Sequence, residues 1–204
     1  MTSHRRLVTA SGALALTLVL GACGGTAETT DTAATPAAEQ TSATDPVTFN
    51  DADTQFAQMM TIHHEGALEM AAFAAEEAST EEVRALAERI EAAQQPEIDL
   101  MTSWLQRWDQ EMPDEAEHGA MDHGGMDMGG LSQEEAMEEL RGLSGTDLDR
   151  RFLELMIEHH RGAVEMAETQ RQDGENPEAV ELAGRIIDDQ QTEITEMERL
   201  LADL

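Results

Sequence analysis

The chain has no Lys, no Tyr and a single Cys in 204 residues, and aromatic side chains make up 3% of it. Each scarcity excludes something. One thiol rules out an internal disulfide framework and any zinc or iron–sulfur site built from several cysteines. Arg carries all the basic charge, so 12 basic residues stand against 43 acidic ones and the formal net charge is −31. That field repels phosphate backbones and anionic headgroups, which argues against nucleic-acid binding and electrostatic docking on a membrane. Strand formers are few, while Ala, Glu, Gln, Leu, Met and Arg are plentiful, the composition of helices. With so few rings, the core must be built from Leu, Ile, Val, Ala and Met. Methionine is what the chain has in unusual supply: 13 residues, beside seven His.

Residues 1–22 carry Arg5 and Arg6 near their start and continue as an apolar run that leads into Leu20-Gly21-Ala22-Cys23. The run is too short to span a bilayer and reads as a secretory signal. Its end resembles the bacterial lipobox, which implies a diacylglyceryl group on Cys23, a lipid anchor as the one link to the membrane, and a place outside the cytoplasm. Residues 23–50 are rich in Thr, Ala and Pro and almost without large apolar side chains. They read as a disordered tether reaching on the order of 30 Å. With Cys23 lipidated, every remaining sulfur is a thioether.

From residue 51 to 204 the chain is a duplication at an offset of 96 residues. Repeat 1 spans 51–109, a connection spans 110–145, and repeat 2 spans 146–204. Residues 53–71 and 149–167 share 10 of 19 positions, among them Asp53/Asp149, Phe56/Phe152, Met60/Met156, His63/His159, His64/His160, Gly66/Gly162 and Met70/Met166. Residues 86–101 and 182–197 share Gln94/Gln190, Gln95/Gln191, Glu97/Glu193 and Met101/Met197 among others. Each copy reads as two helices joined by a tight turn. Ser79-Thr80-Glu81-Glu82 has capping-box spacing, and Asn176-Pro177 supplies a cap followed by proline at the first helical position. Gly174 fits the end of the preceding helix, and Pro96 predicts a kink inside the second. A short extra helix is predicted to start at Ser132–Glu135 and end near Gly142. Two αα-hairpins bury their apolar stripes against each other, so the expected fold is an all-α four-helix bundle with approximate two-fold symmetry.

On a helix, Phe56, Met60, His63, Ala67, Met70 and Ala71 share one face, with His64 at its edge. Met60 lies three residues before His63 and four before His64, so either imidazole can join it on one ion. Met70 stands ~10 Å along the axis from His63, better placed as a separate ligand. Antiparallel pairing brings Met60 level with the stretch from Glu97 to Met101. It brings His63 level with Gln94 and Gln95, and His159 with Gln190 and Gln191. These glutamines are candidates to hold an imidazole's other nitrogen. Met101 and Met197 read either as ligands or as core filler. Gly66 and Gly162 each cost ~1 kcal/mol inside a helix, so something is expected to approach the backbone there. Outside residues 1–22 every His lies in a HisHis pair or in the connection, which carries His118, Met121, His123, Met126 and Met128. Imidazole with thioether is a donor set for copper, Cu(I) above all with Ag(I) as its mimic, whereas Mg, Ca and Mn prefer oxygen.

At MTIHHEGALEMA (60–71) and MIEHHRGAVEMA (156–167) the sequence resembles the bacterial family known as domain of unknown function 305. The resemblance covers about residues 51–204. It implies a ferritin-like helical bundle and copper binding outside the cytoplasm through Met and His, carried onto Met60, His63, His64, Met70, Met156, His159, His160 and Met166. The expected function is therefore to sequester or deliver copper, with the connection as an auxiliary site and a copper-transfer protein as a partner. Two alternatives come from other classes. A ferritin-like di-metal oxidase needs Glu-x-x-His on facing helices, but Met60 and Met156 stand where those glutamates would be, so an enzyme is not expected. The other is a structural or partner-binding helical lipoprotein.

Overall fold

A computed structural model describes residues 48–113, 128 and 130–204. The signal, Cys23, all but the end of the tether, and His118, Met121, His123 and Met126 lie outside the described residues. Five helices are described: α1 (Asp51–Glu77), α2 (Glu81–Trp108), α3 (Gln133–Arg141), α4 (Thr146–Asp173) and α5 (Pro177–Asp203). The fold is all-α, and no strand occurs among the described residues. None of these helices is long and apolar enough to cross a membrane.

Local chemistry sets the helix ends. Asn50 and Asp53 form a reciprocal capping box on α1, and Ser132 and Glu135 form another on α3. Asn176 caps α5 with Pro177 beside it, and Gly174 closes α4. α2 runs unbroken through Pro96. Its cap differs by one residue from the spacing-based expectation: Thr80, not Ser79, accepts from Val83 N. The reason is tertiary, because the Ser79 hydroxyl donates to Asp149 Oδ2 at 2.8 Å.

That bond belongs to a reciprocal arrangement between the two repeats. Asp149, in the first turn of α4, accepts from the backbone N–H of Ser79 at 2.7 Å and of Thr80 at 2.9 Å. Asp53, in the first turn of α1, accepts from the backbone N–H of Glu175 at 3.1 Å and of Asn176 at 2.9 Å, and from Gln170 Nε2. Each hairpin's leading aspartate thus satisfies the turn of the other hairpin, and both carboxylates are fully buried. The capping asparagines cross as well, Asn50 Nδ2 donating to Asp173 O and Asn176 Nδ2 to Thr48 O.

Apolar side chains gather in two clusters. One joins the second half of α1, the first half of α2, α3, the first half of α4 and the end of α5, with Phe152, Leu86, Ile90 and Leu140 at its centre. The other joins the first half of α1, the end of α2, the second half of α4 and the start of α5, around Phe56, Trp104, Trp108 and Leu182. α1 and α4 therefore run antiparallel. On all four long helices the change from one cluster to the other falls at mid-length, at His63–His64, Gln94, His159–His160 and Gln190.

Candidate metal centre

The mid-length layer is polar, buried and duplicated. His63, His64, His159 and His160 are all at most 3% exposed. The helical wheel places one histidine of each pair inside and the other on a flank, and the structure shows why both are inside. His63 and His159 come from facing helices and meet at the junction of the repeats, ring centroids 3.6 Å apart and ring planes tilted by 39°. The flanks to which His64 and His160 turn are covered by their own hairpin partners. His64 Nε2 lies 2.8 Å from Glu97 Oε2, and His160 Nε2 lies 2.7 Å from Glu193 Oε2.

Those carboxylates take the place expected of the glutamines. Gln95 and Gln191 face solvent, Gln95 bonding to Asp99. Gln94 and Gln190 are buried in the layer, but neither side-chain polar atom of Gln94, nor Oε1 of Gln190, has a hydrogen-bond partner. Successive helical residues diverge by 100°, which turns Gln95 and Gln191 out. The carboxylate one turn further on is the stronger acceptor for a ring N–H. The Glu97/Glu193 identity in the duplication was the available signal for this pairing.

Thioethers border the layer on both sides. Met60 and Met101 are fully buried members of the cluster around Trp104, and Met156 and Met197 are fully buried members of the cluster around Phe152. Met70 is buried deeper among Leu86, Ala87 and Ile90, and Met166 is half-buried at the rim of the other cluster. Both are more than a helical turn from the histidines on their own helices. Met128, the one described member of the connection's His/Met set, is buried against the α4–α5 side of the first cluster.

Burial disfavours charge on His159. Desolvation, then the neighbouring His63, His160 and His64, hold the His159 pKa well below its ordinary value of 6.5. A neutral imidazole keeps a lone pair for a metal. The unfolded chain binds a proton at this residue below about pH 6.5 while the folded chain does not, so stability is lost as pH falls below that value. Denaturant titrations at pH 7 and pH 5.5 are expected to show lower stability in acid, by up to about 1.4 kcal/mol per pH unit from His159. Outside the layer, Asp189 is held above the usual carboxylate range by desolvation and by the charges of Glu97, Glu193 and Asp188, so the solvent side of the histidines is an anionic rim.

Donor chemistry fits a soft cation. Nδ1 of His64, His159 and His160 is buried without a hydrogen-bond partner, a state that costs about 1–3 kcal/mol per group unless something else satisfies it. Among the described residues no group of three or more His, Cys, Asp or Glu is arranged to hold a metal ion. The other soft donors buried beside these imidazoles are the thioethers of Met60, Met101, Met156 and Met197.

Gly66 has a definite neighbour. A Cβ there would meet Gln133 Oε1 at 2.9 Å and His159 Nε2 at 3.6 Å, and Gln133 Nε2 donates to Gly66 O at 3.0 Å and to Glu69 at 3.2 Å. α3 is thus pinned over the histidine layer by a side chain that a bare backbone admits. Gly66→Ala gains ~1 kcal/mol of helix propensity and loses about as much when Gln133 is displaced. Melts of the variant are expected to agree with the parent to within about 1 kcal/mol.

Residues 53–201 match the profile of the domain of unknown function DUF305. Among solved structures the chain is similar to a DUF305 protein from Streptomyces coelicolor (32% identity over 74% of this chain and 93% of that one, TM-score 0.66). A DUF305 fragment from Deinococcus radiodurans is 34% identical over 76% of this chain and 98% of that one, with a TM-score of 0.65. CopM in its Cu(I)-bound form is 32% identical over 74% of this chain and 96% of that one, with a TM-score of 0.61, and CopM also has Cu(II)-bound and Ag-bound structures. No curated protein matches.

Proposed function

The chain belongs to the DUF305 family, and on that premise we propose that it is an extracytoplasmic copper-binding protein that sequesters Cu or passes it on through Met and His ligands. The observation that carries this reading is the buried layer itself: four histidines at mid-bundle, three with an unpartnered ring nitrogen, between two pairs of buried thioethers. Such a layer is a poor way to stabilise a core, since desolvated polar groups without partners cost free energy. As a copper site it has a use. The Cu(I)-, Cu(II)- and Ag-bound forms of CopM, to which the chain is similar, support copper as the metal here.

The leader ending at Cys23 and the tether behind it support a lipid-anchored site of action outside the cytoplasm. Thioethers suit that setting, because they are not lost to disulfide formation. His118, Met121, His123, Met126 and Met128 form an auxiliary site from which a copper-transfer partner loads or unloads the bundle. We read the protein as a binding protein rather than an enzyme, since thioethers replace the carboxylates that a di-metal oxidase needs three residues before its histidines.

The test is a Cu(I) competition titration of the full chain beside a variant with His63, His64, His159 and His160 changed to Gln, with circular dichroism confirming the fold of both. The variant is expected to lose the tight sites and keep the weaker ones of the connection. Equal affinity and stoichiometry in the two proteins would overturn the reading. Oxygen uptake on loading with Fe(II) would favour the oxidase instead.

A further inference from the structure

Two ring nitrogens are offered by each histidine, and the structure distinguishes them for His64 and His160. Nε2 of each lies against a carboxylate, Glu97 or Glu193, whose side chain is 20% exposed and so sits on the solvent side of the ring. A carboxylate accepts but does not donate, so the nitrogen facing it carries the proton of the neutral ring. Nδ1 is then the bare lone pair, and in both residues it is the atom buried without a partner.

A helical side chain leans over the turn that precedes it, so each of these rings shares a helix face with the residue four positions back. That residue is Met60 for His64 and Met156 for His160. The His64–Glu97 bond also sets the antiparallel register of α1 and α2. One turn further along each helix, Met60 stands opposite Met101, both fully buried in one cluster. The His160–Glu193 bond places Met156 opposite Met197 in the same way, in the other cluster. The close-packed pair His63 and His159 lies between the two sets. Two imidazoles sharing one ion each stand about 2 Å from it, which parts their centroids well beyond the 3.6 Å found here.

Resting on the copper reading, we propose that the bundle holds two separate sites, one per repeat, built from Met60, Met101 and His64 Nδ1 in one and Met156, Met197 and His160 Nδ1 in the other. Glu97 and Glu193 act as positioning residues that fix the ligating tautomer, and His63 and His159 separate the sites. Two thioethers with one imidazole nitrogen form a donor set for a soft monovalent cation. The offset duplication then has a chemical meaning, because each copy carries a whole site rather than half of a shared one.

Silver splits the resonance of a nitrogen bound to it, so Ag(I) added to the full chain with isotope-labelled histidine reports the ligating atom directly. In the silver-free protein, long-range proton–nitrogen correlation is expected to show His64 and His160 protonated at Nε2. With Ag(I), the splitting is expected at Nδ1 of both. Splitting at their Nε2, or at His63 and His159 instead, would overturn this proposal and leave the copper reading standing. Splitting confined to His118 and His123, or to no histidine, would overturn both. Glu97→Leu is expected to weaken silver binding at His64 by 10–100-fold and leave the His160 site unchanged as an internal control. Glu97→Gln, which keeps an acceptor oxygen, is expected to restore most of it. Unaltered affinity and tautomer at His64 in the Leu variant would contradict the positioning role.

Discussion

Asp149→Ala lowers the unfolding free energy by about 3–5 kcal/mol and the melting temperature by about 10 °C. The carboxylate is fully buried and accepts three hydrogen bonds, from Ser79 N, Ser79 Oγ and Thr80 N. Removing it takes the acceptor from two backbone donors, at exposed Ser79 and half-buried Thr80, and cuts the tie between one hairpin and the first turn of the other. Bonds to a charged acceptor contribute about 1.5–3 kcal/mol each when net effects are measured, so even partial rescue by water leaves a large loss. Asp53→Ala is expected to match it, since Asp53 plays the same part for Glu175 and Asn176.

Acid tests the same contact. Desolvation alone would raise the Asp149 pKa, but the hydrogen bonds from Ser79 and Thr80 outweigh it and hold the group below its ordinary value of 3.8. The charged form is therefore the one stabilised by folding. That contribution is complete above the ordinary value and is lost as pH falls through the lower folded one. Denaturant melts between pH 5 and pH 2 are expected to converge for parent and Asp149→Ala, and a constant gap across that range would contradict this account. His159 acts over a higher window, below its ordinary value of 6.5, so the two effects separate along the pH axis.

Replacing Met60, Met101, Met156 and Met197 together by Leu abolishes tight Cu(I) binding by the bundle while leaving it folded. Leu and Met are close in volume and both apolar, and such exchanges usually cost under about 1.5 kcal/mol each. Were the methionines only filler, this variant would bind copper as the parent does. As ligands, their loss removes four of the six proposed donors, and affinity is expected to fall by more than 100-fold, beyond the effect typical of removing a group that merely supports a ligand. Circular dichroism with a Cu(I) competition titration reads both halves of the prediction. A folded variant that keeps parental affinity would assign these residues to packing.

The paired helices, the caps at Ser132 and Asn176, the short α3 and the fold class are readable from periodicity and turn chemistry, because each depends on residues near one another in the chain. The duplication also exposed the histidine pairs and the thioethers that recur with them. What escaped was whatever depends on the partner hairpin. Ser79 resembles a cap by spacing, yet Asp149 claims its hydroxyl across 70 residues, which moves the cap to Thr80. Glu97 and Glu193 appeared among the repeated positions without a role, since a helical wheel does not say which flank a second helix will cover. The glutamines stand level with the histidines, and spacing along the axis cannot tell them from the carboxylates that make the bond. His63 and His159 share a face with Met60 and Met156 on the wheel, and only the crossing of α1 with α4 turns them toward each other.

Copper X-ray absorption tests the central claim most directly, using a full chain in which His118, Met121, His123 and Met126 are changed to Ser so that bound Cu(I) is confined to the bundle. The account predicts a mixed first shell, with sulfur at about 2.3 Å and imidazole nitrogen at about 2 Å, by analogy with other metals bound by these donors. A shell of nitrogen and oxygen alone, or no retained copper, would contradict it.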